Sequence, residues 1–545
     1  MTCEARFVTV PAALAWLAFL ALLATACTAV PPPRESAPDG TAPSIKTGGV
    51  LRTYFESDPN DWDLRTQGKT TVNVAVHGLV YNSLLMFKKG PDVKPTEFIL
   101  QPGLAERWDV ARDAKSFTFS LRPGVRFADV PPVNGRALTS ADVKWNLEYL
   151  SSTGESSKLP ASAMAFMYVG LDRIDTPDPR TVVVHFKEPF APFMNYSASQ
   201  WMPMAAREVQ QQEGDLKTLL IGTGPFQFDA STSQKGTVWA VKRNPNYWDS
   251  GRPYLDGIRR LVLPEIATAQ AAFQTKQLDV MTVTAFPVSQ DVRKANQEAQ
   301  VQEFVKGGQP YQLNISQRRG GPLSDVRVRR AISLAIDRDE FNRVISGGRG
   351  VPSPPAATLG LFSDTEVKEM LPHDPEAAKR LLAEARYPGN LRLESIVTPG
   401  DNTDTLLLQS QLRKVGVSYE LTTLPREDHR ARLYVGDYDF YTSRAGGLFE
   451  ADIDSTLFAF YSGSSLNYAQ IKDPELDKML IAQRQEGDPT KRRDLQRAAI
   501  RRIVDQAWNP GVIFIAAWDF SQPYVKNFHS HIASGQYDSM AWLDK

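Results

Sequence analysis

LRLESIVTPGDNTDTLLLQSQLRKVGVSYELTTLPREDHRARLYVGDYDFYTSR, residues 391–444, alternates two kinds of segment. LRLESIV (391–397), VSYELTTL (417–424) and YDFYTSR (438–444) are short and rich in β-branched and aromatic residues, the composition of strands. DTLLLQSQLRKVG (404–416) and HRARLYVG (429–436) between them read as helices. A β-α-β-α-β series implies an α/β fold in which helices cover a parallel sheet, because parallel strands need crossover connections. In open sheets of this kind the ligand lies beyond the carboxyl ends of the strands. That directs attention to Ser443-Arg444-Ala445-Gly446-Gly447-Leu448-Phe449-Glu450.

Upstream, Asp374-Pro375 supplies a cap and a first-turn proline for AAKRLLAEAR, whose Ala378, Leu381, Leu382 and Ala385 keep helical spacing until Pro388-Gly389. Ser324-Asp325 and Asp337 each announce a helix, the second with Glu340 at the capping-box position and a stop at Gly347-Gly348. YQLNIS, from Tyr311, reads as a strand. Earlier strands are expected from Gly48, at TVVVHF (181–186), in GTGPFQFD (222–229) and in VWAVKR. Residues 72–87 read as helical or mixed, 106–124 as a hairpin, and 264–280 as a helix with a short strand near Leu278–Met281. Thr139 or Ser140 caps a helix through Leu150. No internal repeat is present.

The first 26 residues have a different character. Residues 7–26 carry no charge, follow Arg6 and close on Ala-Thr-Ala, the layout of a secretory signal peptide. The alternative is an uncleaved anchor, since about 20 apolar residues span a bilayer. Leu23-Ala24-Thr25-Ala26-Cys27 resembles a bacterial lipobox, with the leucine one place further from the cysteine than usual. Lipidation at Cys27 and simple secretion both put the body outside the cytoplasm, as does the anchor. Residues 28–46, rich in Pro, Ser and Ala, read as a tether. The chain has two cysteines, Cys3 and Cys27, and loss of the signal would leave Cys27 nothing to pair with.

At 545 residues the chain exceeds one hydrophobic core, so two or three domains are expected. Lys plus Arg equals Asp plus Glu at 62 each, which removes the electrostatic case for a nucleic-acid partner. Arg318-Arg319 and Arg327, Arg329 and Arg330 are short clusters that read as solvated faces or ion pairs. The chain lacks GxSxG, HExxH, GxxxxGK[ST] and GxGxxG. His529 and His531 would share a strand face, and two imidazoles alone make a poor metal site. No metal or cofactor is read. A carboxylate pair for glycoside hydrolysis cannot be picked out of 62 acidic residues.

Five stretches together resemble one family. They are QPGLAERWDVARDAKSFTFSLRPGVRFAD (101–129) with LTSADVKWNLEYL, GTGPFQFD, KRNPNYWDSGRPYLDGI (242–258), PLSDVRVRRAISLAIDRDEF (322–341) and DPEAAKRLLAEA (374–385). In this order and spacing they resemble solute-binding protein family 5, the extracytoplasmic peptide- and nickel-binding receptors of ABC importers. The resemblance implies a periplasmic-binding-protein type II architecture: two lobes joined by a hinge, with an extra domain on lobe I. Carried onto this sequence, residues 1–26 are the signal and 27–47 the lipidated tether. Lobe I is 48–85, 218–308 and 512–545, the extra domain 86–217 and lobe II 309–511, with hinges near Gly307–Tyr311 and Asn509–Val512.

The implied function is capture of a peptide or related small solute between the lobes and delivery to permease subunits. ATPase subunits would be separate chains. The implied place is the periplasm or the outer face of the cytoplasmic membrane, with an N-terminal lipid as the membrane contact. In peptide-binding members an aspartate following a Gly-Trp pair takes the α-amino group. Aligning the family's Asp-x-Asp with Asp452-Ile453-Asp454 puts Phe449 or Glu450 at that place and Gly446 or a neighbour at the tryptophan. Glu450 becomes the candidate ammonium acceptor. Arg444 is the candidate for a bidentate carboxylate contact, or else pairs with Asp437 or Asp439. Asn82 stands where the family often has Glu. Trp62, Trp201 and Tyr441 are candidate aromatic walls or core residues. The same fold could hold an oligosaccharide or other non-peptide solute, or serve as a sensor. A secreted hydrolase is the alternative from another class.

Overall fold

The computed structural model describes residues 44–58, 62–63, 65, 71–88, 90, 93, 97–356, 360–389, 391–399, 402–444, 452–528 and 539–545. Cys27, Phe449, Glu450, His529 and His531 lie outside them. The run 391–444 forms strands Leu391–Val397, Val417–Thr423 and Phe440–Arg444 with helices Thr403–Arg413 and Arg426–Tyr434 between them. The first two strands pair in parallel from Leu391↔Val417 to Val397↔Thr423, and the third joins in parallel at Ser395↔Phe440. The parallel character stops there, because the next neighbour, Gln300–Ile315, runs antiparallel to Phe440–Arg444.

Helices Val326–Ala335, Arg338–Ser346 and Pro375–Glu384 begin as their caps require. Asp325 accepts from Arg327 N at 2.8 Å, Asp337 from Glu340 N at 2.8 Å and Asp374 from Ala377 N at 2.8 Å. Helix Arg338–Ser346 stops at Gly347 in the left-handed region, φ 59°. A Cβ there would also strike the Phe286 ring. Val328, Ile332, Ala378, Leu382, Leu408 and Leu412 bury against Leu313, Ile315 and Phe440 of the sheet, forming the core of one lobe.

Two long antiparallel strands carry the chain out of that lobe. Gln300–Ile315 and Gly511–Ser521 pair from Gln300↔Ser521 to Val305↔Ala516, then resume at Pro310↔Phe514. Four residues, 306–309, therefore oppose one, Ile515, and the ladder is interrupted inside the segment where the sequence places a crossing. On one side of the break Ala516, Trp518 and Phe520 belong to a core with Phe273, Met281, Val283 and Val292. On the other side Tyr311, Leu313, Val512 and Ile513 belong to the core built on 391–444. Two strands thus thread two cores, the geometry of a pair of lobes on one shared sheet.

The first lobe also holds a four-stranded sheet in the order Val50–Phe55, Gly257–Val262, Val238–Arg243, Phe226–Phe228. A second, antiparallel sheet runs Ala105–Val110, Ser116–Leu121, Thr181–Phe186, Leu171–Asp178. Helix Ser140–Ser151 lies nearby, started by a reciprocal Thr139–Asp142 capping box. Residues of both regions, among them Leu51, Phe119, Val184 and Phe226, merge in one hydrophobic cluster. The remaining part of the second lobe is helical. Helices Pro474–Gln485 and Pro489–Gln506 pack with Phe362, Leu457 and Phe514 in a further core. Among the described residues no helix is long and apolar enough to cross a membrane.

Candidate functional site

Strand Phe440–Arg444 delivers the candidate residues of the second lobe. Phe440 is fully buried, so the alternating pleat turns Tyr441 to the opposite face. There Tyr441 sits across from Asn314, half-buried, with its ring edge-on to Tyr438 at 5.1 Å and to His429 at 6.3 Å. Tyr434 and Tyr468 are 5.2 Å apart. Burial pushes the Tyr438 hydroxyl well above its usual range, and among the described residues that hydroxyl has no hydrogen-bond partner. Burial likewise lowers the His429 imidazole. Arg444 closes the strand in register with Tyr311. Asp437 and Asp439, the two carboxylates just ahead of the strand, each have contacts of their own. Asp437 pairs with Arg319 at 2.9 Å and Arg432 at 3.3 Å, and Asp439 accepts the Glu394 N–H at 2.7 Å.

The first-lobe candidates are interior positions. Asn82 Oδ1 accepts from Thr223 Oγ1 at 3.1 Å and Trp248 Nε1 at 3.0 Å. Asn244 Nδ2 donates to Gly224 O at 2.8 Å while its Oδ1 accepts from Gln227 Nε2 at 3.1 Å. The stretches GTGPFQFD and KRNPNYWDSGRPYLDGI thus meet around the chain at Asn82. Gly224 packs so closely that a Cβ would lie 2.5–2.6 Å from the backbone of Leu79 and Val80. Trp62 is 4% exposed, edge-on to Trp239 at 5.0 Å and 6.1 Å from His77. Trp201 is 8% exposed in the same core cluster. Asn82, Trp62 and Trp201 therefore belong to the first lobe's packing, and Tyr441 and Arg444 to the second lobe's sheet.

Beyond the strand, Asp452 and Asp454 enter a buried polar cluster that sequence reading used only for alignment. Arg492 NH1 and NH2 grip Asp452 at 2.9 and 2.7 Å, and Arg484 Nε and NH2 grip Asp454, each at 2.8 Å. Gln483 and the Tyr196 hydroxyl also donate to Asp454. Burial alone would raise the Asp454 carboxyl, but the charge and hydrogen bonds of Arg484 outweigh it and hold it below the ordinary range. The signal was present: Asp473-Pro474 and Asp488-Pro489 repeat the Asp374-Pro375 cap, announcing the helices that carry Arg484 and Arg492. Among the described residues no group of three or more His, Cys, Asp or Glu could hold a metal ion.

This geometry agrees with known proteins over nearly the whole chain. The solved structure of the ABC transporter-associated periplasmic binding protein DppA from Helicobacter pylori, in complex with peptide STSA, superposes with a TM-score of 0.79 at 21% identity. The match covers 92% of this chain and 99% of that one. The mixed α/β fold is therefore that of the periplasmic binding proteins. In sequence, the chain is 26% identical over 491 residues to the glutathione-binding protein GsiB of Salmonella typhimurium, covering 86% of this chain and 88% of the relative. It is 25% identical over 484 residues to the probable di/tripeptide-binding protein 5 of Pseudomonas aeruginosa, covering 85% and 89%. Residues 100–468 match the family described as bacterial extracellular solute-binding proteins, family 5 Middle. The chain belongs to that family, whose members bind solutes and catalyse no reaction.

Proposed function

We propose that the protein is the receptor of an ABC importer for short peptides or glutathione-like solutes, which it holds between its two lobes. The observation that carries this is the pair of strands threading two cores and interrupted at 306–309, in a chain whose relatives include a glutathione-binding protein and a probable di/tripeptide-binding protein. Rotation at such a break would bring both lobes onto a solute at once. The ligand then binds the closed form better and shifts the population toward it. A micromolar ligand supplies about 8 kcal/mol, ample to close lobes that, free of solute, stand near balance between open and closed.

In this reading Glu450 receives the solute's ammonium group, Arg444 meets a carboxylate, and Phe449 and Tyr441 form apolar wall. Asn82, Trp62 and Trp201 hold the first lobe's side of the cleft in shape. The lobes follow the boundaries set out from the resemblance, with 48–85, 218–308 and 512–545 against 309–511. Residues 1–26 act as a signal, and Cys27 carries a lipid that keeps the receptor beside its permease. Titration calorimetry with glutathione, di- and tripeptides, free amino acids, an oligosaccharide and nickel tests the solute class. Saturable binding of glutathione or a short peptide supports the reading. Binding of the oligosaccharide or nickel alone overturns it.

A further inference from the structure

The buried cluster at Asp452 and Asp454 bridges parts of the chain that the two crossing strands keep apart. From the first lobe, in the extra domain it carries (86–217), come Ala191, Asn195 and Tyr196. The Tyr196 hydroxyl donates to Asp454 Oδ2 at 2.7 Å, Asn195 Nδ2 to Asp452 Oδ2 at 2.8 Å and the Ala191 N–H to the Arg484 carbonyl at 2.8 Å. Phe458 of the second lobe enters the first lobe's hydrophobic cluster, 6.3 Å from the Phe166 ring, with the Arg484 guanidinium stacked on it at 3.6 Å. Tyr196 and Asp454 are both fully buried.

The distribution of charge in this contact is one-sided. Both carboxylates and both guanidinium groups belong to the second lobe and neutralise one another there, Asp454 with Arg484 and Asp452 with Arg492. The first lobe contributes only neutral donors: a phenol, an amide and a backbone N–H. Parting the contact would leave no charge without its counter-ion, and water could replace each neutral donor. A junction meant to stay shut has no need of that division. A junction that opens and closes does.

We infer that Tyr196 and Asn195 form a reversible seam with Asp454 and Asp452 that sets how readily the lobes close, and so tunes solute affinity without touching the solute. This rests on the proposed closure of the lobes. A receptor closed only a fraction of the time binds with its affinity reduced by that fraction, so donors that favour closure raise affinity from outside the cleft. Tyr196 and Asn195 are positioning residues in this sense.

The test measures the solute-free protein, so it does not depend on identifying the ligand. Small-angle scattering is compared for the wild type, the double variant Tyr196→Phe/Asn195→Ala, and Tyr149→Phe. Tyr149 also donates a buried phenol to a carboxylate, Asp63 at 2.7 Å, but within one lobe. The double variant is expected to show a larger radius of gyration than the wild type, and Tyr149→Phe an unchanged radius with a lowered melting temperature. If calorimetry identifies a solute, the double variant binds it about tenfold more weakly, equivalent to about 1.4 kcal/mol, and saturating solute returns all three proteins to one radius. An unchanged radius in the double variant, even with a lowered melting temperature, would make the seam ordinary packing and overturn the inference. Failure to bind any peptide would sink the proposed solute class and leave the scattering result standing.

Discussion

Replacing Arg338 by methionine should unfold the second lobe at markedly lower urea. This arginine is 5% exposed, and its guanidinium reaches only neutral oxygens. Nε donates to Gly511 O at 2.8 Å, NH1 to Ser333 O and Ile336 O at 3.2 Å each and to Leu371 O at 3.4 Å, and NH2 to Ser333 Oγ at 3.3 Å. Burial without a counter-ion lowers the guanidinium to about 9. Methionine keeps the stem and its packing but leaves carbonyls at the start of the crossing strand and at two helix ends without a donor. An orphaned buried acceptor costs about 1–3 kcal/mol, and the two closer ones, Gly511 O and Ile336 O, would together cost about 2–6. Relief from burying a charge offsets part of that, so the net loss should be about 3 kcal/mol, a large share of a stability of about 5–15. Urea denaturation followed by tryptophan fluorescence gives the number directly. Arg338→Lys should recover less than half, because an ammonium cannot reproduce the planar fork. A loss under about 1 kcal/mol for the methionine variant would refute the view that this guanidinium ties the helices to the strand.

Glu394 is held down to about 2, first by its hydrogen bonds to Arg432, with Thr422 and Arg319 adding to them. A carboxylate lowered on folding contributes stability that is present above about pH 4.5 and is lost as pH falls toward 2. Acid denaturation of Glu394→Gln should therefore be flatter over that window than that of the wild type, and parallel curves would count against the assignment. Gly224→Ala forces a Cβ against the Leu79 and Val80 backbone and should cost about 1–3 kcal/mol by overpacking, read as a lowered melting temperature; full retention of stability would show that the turn can shift. Glu450→Ala should weaken binding of a peptide or glutathione by about tenfold or more, about 1.4 kcal/mol, in calorimetry, and unchanged affinity would remove Glu450 from the site.

Local order was legible where the chain carries its own punctuation. Asp325, Asp337 and Asp374 sit at caps because a short carboxylate can satisfy the first free N–H groups, and each expected helix follows. The alternating Phe117, Phe119 and Leu121 bury one face of a strand as their period requires. The long crossing strands were harder. VIFIAAWDF is buried on both faces and so lacks alternation. VKGGQP hides the continuity of Gln300–Ile315 behind Gly and Pro, and only YQLNIS was read from it. Reading 391–444 as a parallel sheet was right for three strands and silent on the antiparallel neighbour, since pairing across more than a hundred residues leaves no local mark.

The site was less legible for a related reason. An aromatic residue suited to lining a cleft and one suited to filling a core have the same composition, and Trp62 and Trp201 are both packed inside the first lobe. Asp452 and Asp454 looked like alignment landmarks. Their partners Arg484, Arg492, Asn195 and Tyr196 lie 30 to 258 residues away along the chain. Such clusters are fixed by tertiary packing and cannot be recovered from spacing.

The central claim is that a peptide-like solute draws two lobes together about the break at 306–309. Small-angle scattering of the chain with and without saturating glutathione or a tripeptide that calorimetry has shown to bind tests it most directly. The account predicts a smaller radius of gyration in the complex than in the free protein. Equal radii with the solute demonstrably bound would contradict it.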